Sequence, residues 1–512
     1  MRAEVKGKFG RELDAHVRNV RSFHRAPVSE SQIVCAPPGE KRGVLLPFAS
    51  FALEQLHREI PPNVAGLLSE NVLQSLLDLL VWILGPTLDV LQKGRVVRGP
   101  KRTVGSLDAN DALDGLEIPE VLLSFPPIRE TIQLVLWNWI SANAEMLGRL
   151  YRDREALRFF RSCPDDASWK LASVVANLSD RHERGRSVCA LTFAGGDRLI
   201  YKPRKCSGEQ LWSCILDWLH DEGFPELKTA RMVHRPRAGY AWVEFLSASP
   251  CANESAVKQF YFRWGAQAAV ATMFGFSDLH HDNWIARHEH PVLVDAEMFG
   301  ADASTLARID SSVAKLEPLL ATGLVPFRSQ SGREYRGLGP LDHSSSFGQP
   351  PDCWPRLKDV AKPPEEFRLD IRRGFDEVVE FIWAKRSRTR RINAILRRRA
   401  ASESRVLVRS TEEYTQLLRH SLHPRHMLAT QSRYDGLRAA CYTAAPSPRI
   451  AEAEANCLLR CCVPRFTGNM LQCDSRRLPI PTREAMAESS SYLFSHLRLF
   501  ARSPRGVSAS VG

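Results

Sequence analysis

The sequence predicts an α+β fold, with a helical first third, a central run of strands and helices, and a helical last part. Three observations lead there. Residues 48–60 and 64–84 carry apolar side chains at helical spacing. The texture changes near Asp180, where SVCALTF, AGGD and RLIYKPR read as strand, tight turn and strand. WIAR, HEH and PVLVD give a second hairpin over 284–295. The expected organisation is a helical region over 1–165, a core of strands and helices over 166–300, a helical region over 301–500 and a disordered tail over 501–512.

In chain order, Pro61, Pro62, Gly85 and Pro86 are expected to interrupt the first helices, and KGRVVRGPKRTVGSLDANDALDG to form a loop. Residues 132–151 read as a helix. Gly195 and Gly196 supply the first hairpin's turn. A helix over 208–223 follows, then strands within 231–246 and a strong helix over 258–276. SSSFGQPPDCWP reads as a loop. Residues 367–399 read as a very basic helix, a solvated face before a dock for an acidic peptide. SRVLVRSTEEY reads as a short strand entering a helix capped by Ser410 or Thr411.

The bulk numbers narrow the class. With 512 residues, 44% hydrophobic and 25% charged, the chain is ordinary globular protein with room for a large core. A net charge of +12 favours anionic partners without choosing among nucleotides, acidic peptides, nucleic acid and membrane surfaces. The twelve cysteines form no compact disulfide framework, so free thiols in the cytoplasm are expected. Cys457, Cys461, Cys462 and Cys473 fit no common zinc spacing and read as small buried hydrophobes. The N-terminus has no apolar signal core. The run LLDLLVWIL is too short to span a bilayer and carries Asp78, so a buried helix is expected and no transmembrane segment.

Chemistry concentrates in SDLHHDNWIARHEHPVLVDAEMFG, over 277–300, which holds Asp278, His280, Asn283, Asp295 and Glu297. Phosphoryl transfer needs magnesium between phosphates, a carboxylate near the attacking hydroxyl and a lysine on the phosphates. Asp278 lies in a loop after a helix, suited to accept a hydroxyl proton. Asn283 offers an amide oxygen, and Asp295 ends the hairpin's second strand, where it meets the same metal. Catalytic loop, hairpin, then metal-binding aspartate is the order seen in kinase folds. Lys202 in RLIYKPR supplies the upstream lysine on a strand. No glycine-rich phosphate loop accompanies it, which leaves SDRHERGRS, over 179–187, to grip phosphates. His281, His288 and His290 read as exposed. A zinc site of His280, His281 and Asp295 would leave Asn283 and Lys202 idle.

DLHHDNWIA, HPVLVDAEMF, RLIYKPR and SDRHERGRSV together resemble the dehydratase part of type 2 lanthipeptide synthetases. The similarity extends through YAWVEFL, YFRWGAQAAVATMFGFSD, SRVLVRSTEEYTQLLRHSLHP and EANCLLRCCVPRFT. The resemblance implies a kinase-like, two-lobed core close to lipid kinases, with added helices before and after. It implies ATP and Mg2+, and a precursor peptide with a leader segment as partner; nucleic acid is not expected. The implied reaction phosphorylates serine and threonine and then eliminates phosphate, giving dehydroalanine and dehydrobutyrine.

Carried over by motif, Asp278, His280 and Asn283 look like the catalytic loop, with Asn283 and Asp295 on magnesium and Glu297 as a second acid. Lys202 matches the nucleotide lysine, and Asp180 and His182 a pair in the segment that closes over the nucleotide. Arg405 and Thr411 match the elimination residues, arginine's planar fork suiting a phosphoester. Arg409 is expected on the same strand face as Arg405, where the two are easily confused. Asp282 stands where the family often has glutamate. Full synthetases continue into a zinc-binding cyclase, whereas about 47 residues follow Arg465 here, so ring closure is not expected of this chain and a separate cyclase is one source of rings. A plain lipid or small-alcohol kinase and an inactive precursor-binding scaffold are the competing readings. Arg405 and Thr411 argue against the first, and intact Lys202, Asp278, Asn283 and Asp295 against the second.

Overall fold

A computed structural model describes residues 3–19, 40–65, 72–97, 118–160, 170–235, 238–299, 317–325, 327–328, 334–335, 352–385, 404–406, 408–428, 433–443, 445, 447–467 and 483–500. The chain mixes helix and sheet and divides into two compact units. The first is Met1–Pro203 with Val408–Arg465; the second is Arg204–Leu407 with Phe466–Gly512. These units cut across the ranges read from the sequence. Most of the basic run after Ala384, the tail over 501–512 and Cys473 lie outside the described residues.

In the first unit the helices Ala3–Asn19, Glu40–Glu59, Val72–Val97 and Pro126–Asp153 pack together. Phe9 sits edge-on to Phe51 and Trp137, with ring centroids 5.2 and 5.5 Å away. Val72–Val97 runs through Gly85 and Pro86, which were expected to interrupt it, and on into the polar stretch expected as a loop. Leu76, Leu80, Ile83, Leu84 and Leu88 explain why: they line one face and are almost wholly buried. Each contributes about 1.5–3 kcal/mol of burial, and their sum outweighs the ~3 kcal/mol a mid-helix proline costs. Among the described residues this helix is long and apolar enough, over Val72–Leu91, to cross a membrane by length and composition. The apolar stretch is thus longer than the run read from the sequence. Half of that window is buried inside the protein, and Asp78 pairs with Arg42 at 2.7 Å.

Leu171–Val175, Cys189–Phe193 and Arg198–Lys202 form an antiparallel meander, with Cys189 opposite Tyr201 and Thr192 opposite Arg198. Gly196, at φ 88°, turns the hairpin between Cys189–Phe193 and Arg198–Lys202, where the sequence placed the turn. Helices from 408–465 complete the unit. Buried Arg433 ties them in, donating to Thr131 Oγ1 and the Leu458 carbonyl, each at 2.9 Å.

The second unit is built on the helix Glu254–Phe274. It is apolar nearly all round and therefore buried. Asn253 caps its start by accepting from the Ala256 N–H, and Gly275, at φ 69°, ends it. The helix Arg368–Ala384 crosses it so closely that a Cβ on Gly265 would lie 1.9 Å from the Ile371 carbonyl oxygen. Replacing Gly265 with alanine must push two backbones apart. Gly265→Ala is expected to destabilise the protein by about 3 kcal/mol or more, read by urea denaturation.

His290, expected at the surface, is 4% exposed. It opens the strand His290–Leu293, which pairs with Trp284–Arg287, and is enclosed by the hairpin's packing. Burial, with Arg263 and Lys228 nearby, lowers its pKa to about 4. The unfolded chain therefore takes up a proton below about pH 6.5 that the folded chain refuses until about pH 4, and stability falls as pH drops through that window. His290→Gln should flatten this loss, so that urea midpoints at about pH 7 and about pH 5 differ less than in the wild type.

Candidate functional site

Five of the residues singled out in the sequence, together with Arg405, meet in the second unit through a short ladder. Phe276–Ser277 pairs with Met298–Phe299, Phe276 facing Phe299 and Ser277 facing Met298. The next residues, Asp278 and Glu297, lie just past the ladder's end, close enough that the Glu297 charge acts on Asp278. The chain between them makes a turn at His281–Asn283 and the hairpin Trp284–Leu293. Asn283 fastens this excursion: its Nδ2 donates to the Asp278 carbonyl at 2.6 Å, and its own carbonyl accepts from Val294 N–H at 2.8 Å. Buried Trp284 donates its indole N–H to the Leu279 carbonyl at 3.1 Å. Asp278 takes φ 61°, a conformation aspartate tolerates better than most residues and one that recurs at functional loops. Asp295 lies two residues past the strand end at Leu293.

Arg405 arrives from a different part of the chain. Arg405–Val406 pairs with Phe466–Thr467, and its outer edge docks on the ladder. Arg405 N–H donates to the Glu297 carbonyl at 3.0 Å, and Ser404 Oγ donates to the Phe299 carbonyl at 2.8 Å. The Arg405 guanidinium then makes a close ion pair with the Glu297 carboxylate.

Sequence reasoning passed over Arg204 and Glu209, yet they organise the acids. The Arg204 guanidinium is 9% exposed and forks onto Glu209, itself 8% exposed. It reaches Asp295 Oδ1 at 2.7 Å and Glu297 Oε2 at 3.5 Å. Burial alone would lower the Arg204 pKa, but the facing Asp295, Glu209 and Glu297 hold it well above its ordinary value. Gly208 lets the helix Ser207–Asp221 approach, since a Cβ there would lie 1.6 Å from the Ala296 carbonyl oxygen. The available signal was KPRK, a second cation just behind Lys202.

Arg204 and Arg405 bridge Asp295, Glu297 and Glu209, and Asp278 stands beside them. The Asp278 side chain keeps 39% exposure at the edge of this cluster. Burial raises its pKa; His280, with Nε2 at 4.0 Å, and Arg405 oppose that, while Glu297 and Asp295 add to it, and the result is upward. Asn283 and Asp295 offer the oxygen ligands that a hard divalent cation takes. His280, His281 and Asp282 form a separate group whose potential ligand atoms lie within 4.8 Å of one another, its acid exposed. The imidazoles thus gather with Asp282, not with Asp295.

Lys202, Asp180, His182 and Thr411 belong to the first unit. Lys202 is buried at the end of Arg198–Lys202. His182 Nδ1 contacts the Val463 carbonyl at 2.9 Å, and Val463 N–H donates to the Arg181 carbonyl at 2.7 Å, which fixes the segment carrying Asp180. Thr411 is the first residue of Thr411–Ser421, which Ser410 caps in a box with Glu413. Arg409 does not share a strand face with Arg405. The strand stops at Val406, and Arg409 belongs to the first unit, where it binds Glu454 at 2.9 Å.

Removing the Arg204 charge would take from buried Glu209 a close counter-charge and from Asp295 its 2.7 Å ion pair. Arg204→Met is expected to cost about 3–5 kcal/mol in urea denaturation, and adding Glu209→Gln to recover part of it.

The model of the family described as Domain of unknown function (DUF4135) matches residues 125–351 and 341–469. These spans cover more than half of the chain, which belongs to that family. The chain is also similar to the lacticin 481/lactococcin biosynthesis protein LcnDR2 of Lactococcus lactis subsp. lactis, 22% identical over 359 residues. That alignment takes in 60% of this chain and 37% of LcnDR2.

Proposed function

We propose that this protein acts in lanthipeptide biosynthesis, dehydrating serine and threonine of a precursor peptide by phosphorylation and then phosphate elimination. The observation that carries this reading is the ion pair between Arg405 and Glu297, which joins the segment matched to elimination to the loop matched to phosphorylation. The similarity to a lacticin 481/lactococcin biosynthesis protein supports the substrate class. A kinase-like core, with ATP as phosphoryl donor, is part of the same proposal. Lys202 stands two residues before Arg204, the residue that holds Asp295.

In this reading Asp278 accepts the proton of the attacking hydroxyl, a role its raised pKa favours. Asn283 and Asp295 would hold Mg2+, which when bound spreads the charge of the transferring phosphoryl group. Lys202 steadies the nucleotide phosphates, with Asp180 and His182 closing from the segment over 179–187. For elimination a base removes the α-proton, the C–O bond breaks toward phosphate, and a Cα–Cβ double bond forms. Arg405 and Thr411 hold the departing phosphate by charge-assisted and neutral hydrogen bonds. Cytoplasmic action follows from the use of ATP.

The test is incubation of the purified protein with ATP, Mg2+ and a Ser-, Thr- and Cys-rich precursor peptide, sought among the neighbouring genes and read by mass spectrometry. Each event should remove about 18 Da, a phosphoryl gain less a phosphoric acid loss. Arg405→Ala should stop halfway, accumulating about 80 Da per site. Unmodified peptide from that variant contradicts the elimination role. Asp295→Asn should yield neither product, and retained ATP-dependent modification there contradicts the metal assignment.

A further inference from the structure

The turn His281–Asn283 and the residue before it set three metal-ligand types side by side, His280, His281 and Asp282. One ligand atom from each lies within 4.8 Å of the other two. Among the described residues no other three His, Cys, Asp or Glu side chains meet that distance. Asp282 stands between the two rings. Its Oδ2 is 3.7 Å from His280 Nδ1, and its Oδ1 is 3.3 Å from His281 Nε2. Zinc bonds of about 2.0–2.2 Å at tetrahedral angles put neighbouring ligand atoms about 3.3–3.6 Å apart. The two separations are close to that spacing, so small side-chain rotations would admit an ion.

The frame beneath these side chains is fixed. Asn283 N–H donates to the His280 carbonyl at 2.9 Å, Asn283 Nδ2 to the Asp278 carbonyl at 2.6 Å, and Leu279 N–H to the Thr322 carbonyl at 2.7 Å. His281 is packed in, at 13% exposure, whereas Asp282, at 72%, opens to solvent. That leaves an entry path and room for water as a fourth ligand. A histidine on a metal usually turns its other ring nitrogen to a carboxylate, which fixes the ring. His280 has that arrangement in outline: with Nδ1 toward Asp282, its Nε2 faces Asp278 Oδ1 at 4.0 Å.

The donor set selects the kind of ion. Two imidazoles and one carboxylate suit a borderline dication such as Zn2+, whereas magnesium takes oxygen. Burial pushes the Cys353 thiol up, and the nearby Asp282 charge adds to it, so no thiolate joins the set. We infer that this turn binds a transition-metal dication of the Zn2+ class through His280, His281 and Asp282, with water completing the coordination. The site is distinct from the oxygens that Asn283 and Asp295 offer, and it does not depend on the reaction proposed above. It gives Asp282 a role which that reaction does not supply.

The experiment uses the full chain without an affinity tag, in millimolar Mg2+ to occupy oxygen sites. Calorimetric titration with ZnCl2 should show a Kd of about 10 µM or tighter. Asp282→Asn, at an exposed position, and His281→Gln should each weaken it about tenfold or more. Asp295→Asn should leave it unchanged, as should His426→Gln, taken from the His420–His426 pair whose rings lie 5.2 Å apart. Co2+ in place of Zn2+ should give visible bands without the charge-transfer band of a thiolate ligand. If the turn variants do not fold, wild-type protein decides: Zn2+ should protect His280 from diethyl pyrocarbonate, read by peptide mapping. A Kd weaker than about 10 µM, wild-type affinity in both turn variants, loss of binding in Asp295→Asn or His426→Gln, a thiolate band, or unprotected His280 each overturns the site.

Discussion

One buried guanidinium holds the acids of the second unit in place. Arg204 binds Glu209 on the helix Ser207–Asp221 and Asp295 and Glu297 on the turn after the hairpin. Without it, three carboxylates would crowd a region largely closed to water, and their repulsion would open the turn. With it, the turn is fixed and one acid, Asp278, is left partly exposed and with a raised proton affinity. The network thus stores negative charge in an ordered form, the condition for receiving a divalent cation without large rearrangement.

The second arginine makes a different connection. Arg405 reaches Glu297 only because its two-residue strand is held on both sides, by Phe466–Thr467 and by backbone and Ser404 bonds to the ladder. Its position depends on main-chain hydrogen bonds, which leave the side chain little freedom to wander. The ion pair with Glu297 then holds the Arg405 guanidinium against the ladder's end.

Much of the fold was legible in local pattern. The turn at Gly196, the hairpin around Arg287 and His290, the apolar helix ending at Gly275 and the capped helix after Ser410 follow from residue-by-residue preferences. The helix through Pro86 did not, because its stability comes from a stripe of leucines packed on other helices, which a proline-based rule does not weigh. Nor did the burial of His290, which depends on what covers the hairpin's end.

The sequence by itself determined where oxygen-bearing side chains gather and in what order they occur, since Asp278, Asn283 and Asp295 lie within a single loop and hairpin. Only the tertiary structure decided the partners: Arg204 with Asp295 across 91 residues, Arg405 with Glu297 across 108, and Arg409 drawn away to Glu454. The reason is physical. Turns, caps and strand alternation are set by neighbours within a few bonds, whereas an ion pair is set by which charges the packing leaves face to face, and no local period records that.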